Sequence, residues 1–361
     1  RLDSPRFDNS AVDGYGVRAD DGRMPRRVVR EVGAGDEPGP AIGPGEAVRI
    51  FTGAAVPPGV DAVAMQEDCR ADGRSVELNE ALRPGANLRR RGEEYREGDV
   101  LLPAGTPINP AVLSLLAANG VSSFRFRRPP HVVIVSTGEE LGELGGEVAP
   151  WGVYNSNGPG LAAAILSLGS WFGQPMTYQV GDRAEATKET LRTALHEADI
   201  LITTGGVSVG DRDLVKDALE ELGVERVFWR ISMKPGKPVF FGVRDKKLVF
   251  GLPGNPVSAL MAFHLLVRPA FRRMMGHEQA LETWPARLKS AIDKREGRAE
   301  FVRGRIDGGG DVLEVAPTGR QASYMMLGTA EADCLIHLPT GPGRFEAGEI
   351  VRVSLLRWGL I

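Results

Sequence analysis

The sequence contains few of the residues that build metal clusters and disulfide frameworks. Its 361 residues include two cysteines, Cys69 and Cys334, and five histidines. The two cysteines fit neither a zinc-binding spacing nor a disulfide framework, and the histidines are scattered. The sequence therefore excludes a zinc module and a disulfide-stabilised secreted domain, and it predicts a reducing, cytoplasmic location.

The sequence also lacks a long apolar run and a strong charge of either sign. The longest apolar stretch, Val257 to Val267, contains Ser258 and His264 and is too short to span a bilayer. No signal peptide is visible. The formal net charge is −3, so no overall basic field favours nucleic acid or an anionic membrane. We therefore expect no membrane and no nucleic-acid partner.

The length predicts more than one domain, because a single hydrophobic core rarely serves so many residues. Between residue 23 and about residue 106, turns rich in Pro and Gly separate short β-branched runs such as Glu46–Phe51 and Asp61–Met65. This pattern is typical of a small β-rich domain. A helix is then predicted from Asn109, with Pro110 in its first turn, to Gly120.

From His131 the sequence consists of strand, loop and helix units. HVVIVSTGEELGEL predicts a strand, a Ser-Thr-Gly turn and a helix start, and four further helices are predicted in residues 153–276. Such a series predicts a parallel sheet with helices on both faces. The loops at 136–138, 204–210 and 254–256 should meet at the ligand-binding edge of that sheet. After about Glu278, short strands separated by Gly-rich turns predict a small C-terminal β-domain.

A glycine-rich loop, TTGGVSVGDRD, follows one of the predicted strands. Gly205 and Gly206 allow the backbone to approach a ligand closely, and Ser208 offers a hydroxyl. The following helix would present free N–H groups to an anion. The loop fits neither the Walker nor the Rossmann glycine pattern. An alternative interpretation is a tight turn that Asp211 or Asp213 caps.

Two lysines flank a Pro-Gly turn in SMKPGKPVFFG. This turn would hold the ammonium groups of Lys234 and Lys237 near one point, which suits an oxyanion. The alternative interpretation is an exposed basic hairpin tip.

Acidic residues compete for the same edge of the predicted sheet. They are Glu139 and Glu140 after the Ser-Thr-Gly turn, Asp182 before a predicted helix, and Asp211 and Asp213 in the glycine-rich loop. Asp182 also forms a capping box with Glu185, which is its structural interpretation. Carboxylates and lysines at one edge suit a divalent cation that bridges the protein to a phosphate.

A series of motifs runs in one order from Phe7 to the central part of the chain. They are FDNSAVDGYGV, GEAVRIFTGAAVPPGVDAVAMQED, ANLRRRGEE, GDVLLPAGT, VSTGEEL, NSNGP, TTGGVSVGDRD, MKPGKPV and GLPGNPVSA. Together they closely resemble the molybdopterin molybdenumtransferase family, which includes the C-terminal domain of the animal scaffold protein gephyrin. The likeness extends to the C-terminus.

The resemblance implies an elongated α/β multidomain homodimer whose active cleft lies between the two subunits. Its parts would be a helical linker or first domain at 1–22 and 99–128, a β-rich domain at 23–98, a doubly wound α/β molybdopterin-binding domain at 129–276, and a C-terminal β-barrel-like domain at 277–361. The chain opens at Arg1 without a methionine. The N-terminal helical segment of the family is therefore expected to be missing, and the first domain incomplete.

The resemblance also implies a reaction. The family takes adenylylated molybdopterin and molybdate, inserts molybdenum at the dithiolene and releases AMP with the help of Mg²⁺. The molybdopterin adenylyltransferase and acceptor molybdoenzymes would be protein partners. Two alternatives stay open: the adenylyltransferase itself, which resembles residues 130–276 alone, and a gephyrin-like scaffold or binding module.

The resemblance and the loops together give the candidate site residues. The predicted catalytic residues are Asp13, Glu140, Asp182, Asp213 and Lys234, and the predicted Mg²⁺ ligands are Asp13, Asp182 and Asp213. The predicted substrate-binding residues are Thr52, Ser136, Thr137, Gly138, Gly205, Gly206, Ser208, Arg230, Lys237, Pro253, Gly254, Asn255, Pro256, Arg303 and Ser323. Thr52 could instead close a turn, and Arg303 and Ser323 could lie on the surface of the β-domain. Arg230 departs from the lysine of many relatives.

Overall fold

A computed structural model describes residues 2–169, 173–206, 214–277, 281–295, 297–308 and 312–356. The chain divides into two compact units, residues 1–125 and 126–361.

The first unit is built mainly of short strands. They are Asn9–Ser10 (β1), Gly14–Val17 (β2), Arg26–Val32 (β3), Glu46–Ile50 (β4), Ala62–Met65 (β5), Cys69–Ala71 (β6), Ser75–Leu78 (β7) and Leu88–Arg89 (β8). Six of them form one sheet in the order β5-β2-β4-β3-β7-β6, and β1 pairs with β8. The sheet confirms the predicted β-rich N-terminal domain, and it includes Gly14–Val17 from the segment that the sequence assigned to the linker.

One helix of this unit follows the predicted cap. Pro110–Ala118 (α1) starts after Asn109, whose side-chain oxygen accepts a hydrogen bond from the N–H of Val112 at 2.9 Å. Pro110 occupies the first turn, where its missing N–H is not needed. The helix ends before Gly120, which has a φ of 69°. The predicted helix is confirmed. Two short 3₁₀ turns, Ala19–Asp21 and Gln66–Asp68, complete the unit.

The second unit begins with a mixed sheet. Its first strands are Val132–Thr137 (β9), Leu141–Gly142 (β10), Val153–Tyr154 (β11), Met176–Val180 (β12), Ile200–Thr204 (β13), Glu225–Trp229 (β14), Met233–Lys234 (β15), Phe240–Arg244 (β16) and Lys247–Leu252 (β17). The main sheet has the order β12-β9-β13-β17-β16-β14. Its pairings are parallel from β12 to β17, and β16 runs antiparallel to both its neighbours. The predicted central parallel sheet is confirmed.

Helices cover both faces of this sheet. They are Asn157–Leu166 (α2), Ala184–Glu197 (α3), Leu214–Glu221 (α4), Pro256–Ala262 (α5) and Arg268–Met274 (α6), with a π-helical segment at Phe263–Val267. The helices α2, α5 and α6 pack on one face, against Ile134 and Ile202. The helices α3 and α4 pack on the other face, against Val135 and Leu201. Successive strand residues point to opposite faces, so β9 and β13 are buried on both faces, with apolar residues that give way to serine and threonine at their carboxyl ends.

Two local predictions were wrong. The residues after the Ser-Thr-Gly turn do not start a helix: Glu139 and Glu140 form a turn that leads into the short strand β10. Three glycines soon follow, at positions 142, 145 and 146, and Gly145 has a φ of 82°, so a helix could not propagate there. Asp182 does not cap α3, because the N-cap residue is Arg183, which makes no side-chain capping bond.

The C-terminal part of the second unit forms a closed barrel. Its elements are Trp284–Leu288 (β18), Ile292–Lys294 (β19), Ala299–Asp307 (β20), Leu313–Pro317 (β21), Met326–Ala330 (α7), Cys334–Leu338 (β22), Gly343–Phe345 (β23) and Ile350–Leu355 (β24). The order β20-β21-β18-β24-β22 closes because β22 also pairs with β20. The barrel confirms the predicted C-terminal β-domain. No helix in the described part of the chain is both long enough and apolar enough to cross a membrane.

Candidate active site

The loops at the carboxyl edge of the parallel sheet lie against one another. Thr137 at the end of β9 donates a hydrogen bond to the carbonyl of Thr204 at 3.3 Å. Thr204, at the end of β13, donates to the hydroxyl of Ser136 at 3.4 Å. The N–H of Gly205 donates to the carbonyl of Leu252 at the end of β17, at 3.3 Å. Three strand ends therefore meet at one place, as the sequence predicted.

Glycine is required where the β13 loop crosses the β9 loop. Gly205 has a φ of 87°, and a Cβ atom at this position would lie 2.5 Å from the carbonyl oxygen of Thr137. Gly206 has a φ of 61°, and its Cβ would lie 2.5 Å from Val215 at the start of α4. Neither position can carry a side chain without moving packed atoms. The loop continues into residues outside the described ranges, which include the predicted site residues Ser208 and Asp213.

Three acidic residues lie beside this crossing. The N–H of Glu139 is 3.4 Å from a carboxylate oxygen of Asp182, the second residue after β12. The carboxylate of Glu140 lies over Gly138, where a Cβ atom would approach it to 2.6 Å. The carboxylate of Glu139 lies over Gly181 at a corresponding 2.4 Å. The acids therefore line the same edge, although no group of three or more possible ligands in the described ranges is arranged to hold a metal ion.

Two asparagines at the start of α2 complete this part of the edge. The side-chain oxygen of Asn155 accepts a bond from the N–H of Gly158 at 3.0 Å, and its amide donates to Gln179 at 3.1 Å. Asn157 donates to the carbonyl of Gly254 at 2.8 Å, and its side-chain oxygen is buried without a hydrogen-bond partner among the described residues. The site predictions did not include these asparagines, although NSNGP was recognised as a motif. The sequence signal for them was a pair of asparagines next to the Gly-Pro pair at the start of a helix.

The turn after β17 connects the sheet edge to the barrel. Pro253 is buried, Gly254 and Asn255 are exposed, and Pro256 begins α5. The amide of Asn255 donates to the hydroxyl of Ser323 at 3.4 Å. Ser323 lies on the loop between β21 and α7 of the barrel. The structure therefore brings one predicted barrel residue to the sheet edge.

Arg303 has a different environment from the one predicted for it. Its residue surface is 1% exposed, and burial lowers the pKa of its guanidinium. The guanidinium donates to the carbonyls of Arg320, Ala322 and Met325 and to the hydroxyl of Thr329. Arg303 is therefore neither on the barrel surface nor open to a ligand, and this placement argues against the predicted direct contact with substrate.

The predicted basic residues lie at two places near this edge. Lys234 forms an ion pair with Glu300 of β20 at 3.1 Å, because β15 pairs with β20, so it is not at a free hairpin tip. Lys237 is exposed after the Pro-Gly turn. Arg230 follows β14 with a φ of 76°, and its guanidinium lies 4.1 Å from the centre of the Trp229 ring.

In the first unit, the structure brings two predicted residues together. One carboxylate oxygen of Asp13 accepts hydrogen bonds from the N–H and the hydroxyl of Thr52, both at 2.8 Å. The Thr52 N–H is the main cause that lowers the pKa of Asp13, and the nearby cation of Arg49 adds to it. Arg49 is held between the rings of Tyr15 and Phe51, 5.0 Å from each ring centre. Asp13 is thus an exposed, ionised carboxylate with a fixed orientation.

Comparison with known proteins supplies the family. Three family models match the chain: the MoeA N-terminal region (domain I and II) at residues 1–120, a probable molybdopterin binding domain at 133–273, and the MoeA C-terminal region (domain IV) at 285–356. A molybdopterin molybdenumtransferase from Staphylococcus aureus (strain MRSA252) is 33% identical over 364 residues, which cover 98% of this chain and 86% of that protein. The chain belongs to the molybdopterin molybdenumtransferase family.

Solved structures agree with this assignment. Two crystal structures of the molybdopterin biosynthesis MoeA protein from Pyrococcus horikoshii match 98% of this chain with TM-scores of 0.81 and 0.79. They are 32% and 29% identical to it, and the match covers 88% and 89% of their lengths. The molybdenumtransferase matches extend over the β-rich N-terminal region and the barrel as well as the central domain. The chain is therefore an enzyme of molybdenum cofactor biosynthesis, and neither alternative function gains support.

The carboxyl edge of the parallel sheet suits a phosphorylated ligand in this molybdenumtransferase. Glycine turns and hydroxyl groups meet at the ends of parallel strands, where loop N–H groups and helix starts favour anions. Carboxylates nearby suit a hard divalent cation. The hydroxyl of Ser323 adds a polar group from the barrel.

Proposed function

We propose that this molybdenumtransferase inserts molybdate into adenylylated molybdopterin and releases AMP. The observation that carries the proposal is the meeting of the β9, β13 and β17 loops beside Glu140 and Asp182 at one sheet edge. Family membership supports the choice of substrate, and the edge offers what a phosphoanhydride needs: donors for its oxygens and carboxylates for its counter-cation.

The proposed phosphate and pterin contacts come from the three loops. Their residues are Ser136, Thr137, Gly138, Gly205, Gly206, Ser208, Pro253, Gly254, Asn255 and Pro256. The glycines allow a ligand to lie against the backbone, and the serine and threonine hydroxyls supply short-range donors. Because the described parts of these loops are bonded to one another, they would bind the phosphoanhydride with little reorganisation.

Mg²⁺ is part of the proposal, with Asp13, Asp182 and Asp213 as candidate ligands. The donors fit Mg²⁺ in kind, since carboxylate oxygens are its preferred protein ligands. The lowered pKa of Asp13 favours its ionised form, and Thr52 uses only one of the two carboxylate oxygens. Mg²⁺ commonly takes one or two carboxylates and completes its shell with water and substrate phosphate, so a three-acid cluster is not required. When bound, it would neutralise charge on the phosphoanhydride as AMP leaves.

Molybdate is the second proposed substrate, and the basic residues would attract it. Lys234, Lys237 and Arg230 carry the positive charge, and the hydroxyl of Ser323 offers a hydrogen bond. Glu300 holds the ammonium of Lys234 at 3.1 Å, so an arriving dianion would compete with this carboxylate. Glu140 would act next to the reacting phosphate as a catalytic carboxylate.

The homodimer, the cytoplasmic location and contacts with the adenylyltransferase and acceptor molybdoenzymes belong to the same proposal. The two free cysteines are compatible with a reducing compartment. Light scattering at several protein concentrations would measure the oligomeric state, and a monomer at all of them would reject the dimer.

AMP release tests the reaction directly. Purified enzyme is supplied with adenylylated molybdopterin, Mg²⁺ and molybdate, and AMP is measured over time. Glu140→Gln removes the carboxylate charge and should slow AMP release about 100-fold or more, as loss of a single catalytic group commonly does. Glu143→Gln is the matched control, since Glu143 is an exposed acid three residues further along the same segment.

Two results would contradict the proposal. If the wild-type enzyme releases no AMP on addition of molybdate, the reaction is wrong. If Glu140→Gln keeps the wild-type rate while Glu143→Gln also does, the reaction stands but the assignment of Glu140 fails. Circular dichroism of each variant separates a catalytic loss from a folding loss.

A further inference from the structure

The loop that carries Ser323 is wrapped around a buried cation. The guanidinium of Arg303 donates to the carbonyl of Arg320 at 2.6 Å and to that of Ala322 at 3.2 Å through Nη2. Through Nη1 it donates to Met325 at 3.4 Å. These three carbonyls, which we call the carbonyl cage, lie on both sides of Ser323 in sequence.

A second side chain fastens the same loop to the barrel. The side-chain oxygen of Gln321 accepts a bond from the backbone N–H of Arg303 at 3.0 Å, and its amide nitrogen donates to the backbone carbonyl of Arg303 at 2.9 Å. The pairing of β20 with β21 ends at Gly304 and Pro317. The carbonyl of Arg303 also accepts a hydrogen bond from the backbone N–H of Thr318 at 2.8 Å, so Gln321 adds its side-chain bonds at the position where the ladder ends.

The amide of Gln321 also binds the end of β21. Its nitrogen also lies 2.7 Å from the carbonyl oxygen and 3.0 Å from the hydroxyl oxygen of Thr318, so its two hydrogens are shared among three acceptors. Its oxygen lies 3.5 Å from Nε of Arg303. One side chain thus joins the barrel strand, the loop start and the buried cation, while Ser323, two residues later, reaches Asn255 at the sheet edge.

We propose that Gln321 is a positioning residue, which holds the Ser323 hydroxyl at the edge of the α/β domain. Arg303 and the carbonyl cage are the scaffold on which it acts. Without the Gln321 amide, the Arg303 backbone would keep its bond from Thr318 but lose both bonds to residue 321, and the loop beyond Thr318 would be free to shift the hydroxyl away from Asn255. The consequence for molybdate rests on the proposed function, in which Ser323 binds this substrate.

The position of residue 323 can be measured without catalysis. Ser323→Cys introduces a thiol into a protein whose own thiols react poorly: burial raises the pKa of Cys69 to about 11 and that of Cys334 to about 12. The rate of modification by a maleimide would then report the surroundings of position 323. Gln321→Met, of similar size but with neither donor nor acceptor, is combined with it in the full-length chain.

The expected result is a several-fold change in the maleimide rate when Gln321→Met is added to Ser323→Cys. Arg320→Gln is the matched control, because the Arg320 side chain is exposed on the same loop and pairs only with Glu331 among the described residues. It should leave the rate unchanged. Gln321→Glu, which keeps an acceptor for the Arg303 N–H but loses both donor functions, should give an intermediate rate and serves if Gln321→Met folds poorly.

Kinetics connect this position to the substrate. In the otherwise wild-type enzyme, Gln321→Met should raise the KM for molybdate about tenfold, which corresponds to one hydrogen bond, with a smaller effect on the KM for adenylylated molybdopterin. If the thermal midpoint falls but the maleimide rate does not change, Gln321 is only a structural residue and the inference is overturned. If the maleimide rate changes while neither Gln321→Met nor Ser323→Ala affects the KM for molybdate, the positioning role stands and the proposed substrate contact of Ser323 fails.

Discussion

The barrel is joined to the α/β domain by a buried chain of polar groups that should make stability depend on pH. His264 lies in the π-helical segment after α5, and its Nε2 is 3.1 Å from the hydroxyl of Ser354 on β24. His337 of β22 lies 2.8 Å from the same hydroxyl. A guanidinium nitrogen of Arg268 is 3.3 Å from Nδ1 of His264. Since arginine can only donate, His264 Nδ1 must accept, and the ring is neutral.

The direction of the pH effect follows from the two histidines. Burial, with Arg268 and His337 nearby, lowers the pKa of His264 to about 3, and burial with Arg352 lowers that of His337 to about 4. Both pKa values are below the ordinary 6.5 of a histidine. Between about pH 6.5 and these lowered values, the unfolded chain therefore binds more protons than the folded chain. Stability from this source is complete above about pH 6.5 and is lost as the pH falls toward 4 and 3.

The magnitude can be worked from these values. A pH of about 5 is some 1.5 units below the ordinary pKa of a histidine in the unfolded chain. At 1.36 kcal/mol per pH unit, protonation of each histidine then stabilises the unfolded chain by about 2 kcal/mol. The two histidines together should reduce the free energy of unfolding by about 4 kcal/mol between about pH 7 and about pH 5. That is a large part of the stability of an ordinary domain.

Urea unfolding at the two pH values, followed by circular dichroism, measures the effect. The double substitution His264→Gln with His337→Gln should remove most of the histidine-dependent loss, although its stability at neutral pH will be lower. His196→Gln is the control, because His196 is exposed at the end of α3. If the double variant loses as much stability on acidification as the wild type, the buried chain does not control the pH dependence and the reasoning is wrong.

Three further outcomes are expected. Gly205→Ala should destabilise the fold by about 1–3 kcal/mol or more, because Gly205 has a φ of 87° and the new Cβ would lie 2.5 Å from a backbone oxygen. Gly181→Ala is the control, which should keep the fold and displace only the Glu139 carboxylate. Urea unfolding midpoints of the two variants would show the difference. Asp13→Asn should leave the thermal midpoint nearly unchanged but greatly reduce AMP release, and a normal rate would remove Asp13 from the site. Arg230→Gly should relieve a left-handed backbone strain of about 1 kcal/mol, and the loss of the contact with Trp229 should offset this gain. The same substitution should raise the KM for molybdate. An unchanged KM would show that Arg230 does not bind this substrate.

The sequence predicted elements whose signals are local. Asn109 and Pro110 define a helix start through their own chemistry, and the structure has α1 there. The apolar runs of β9 and β13 predicted buried parallel strands, because both faces of each are covered. The meeting of the loops followed from topology alone, since parallel strands present their carboxyl ends at one edge.

Other features depend on contacts that the sequence does not contain. Glu139 and Glu140 have good helix propensity, but the turn is set by Gly138 and by the bond from Val153 to the Glu140 carbonyl at 2.8 Å. Arg303 was predicted to bind substrate, with the surface of the β-domain as the alternative, and only the folded loop supplies the carbonyls that allow its burial. The roles of the site residues and the four-domain division stay predictions.

The burial of Arg303 has an electrostatic consequence. In the described part of the chain no carboxylate pairs with this guanidinium, whose partners are neutral carbonyl and hydroxyl groups. A full positive charge in a medium of low polarisability projects its field over several ångströms, and dissolved salt cannot enter to screen it. The potential around the loop that carries Ser323 is therefore shifted in favour of anions by a residue that no anion needs to touch.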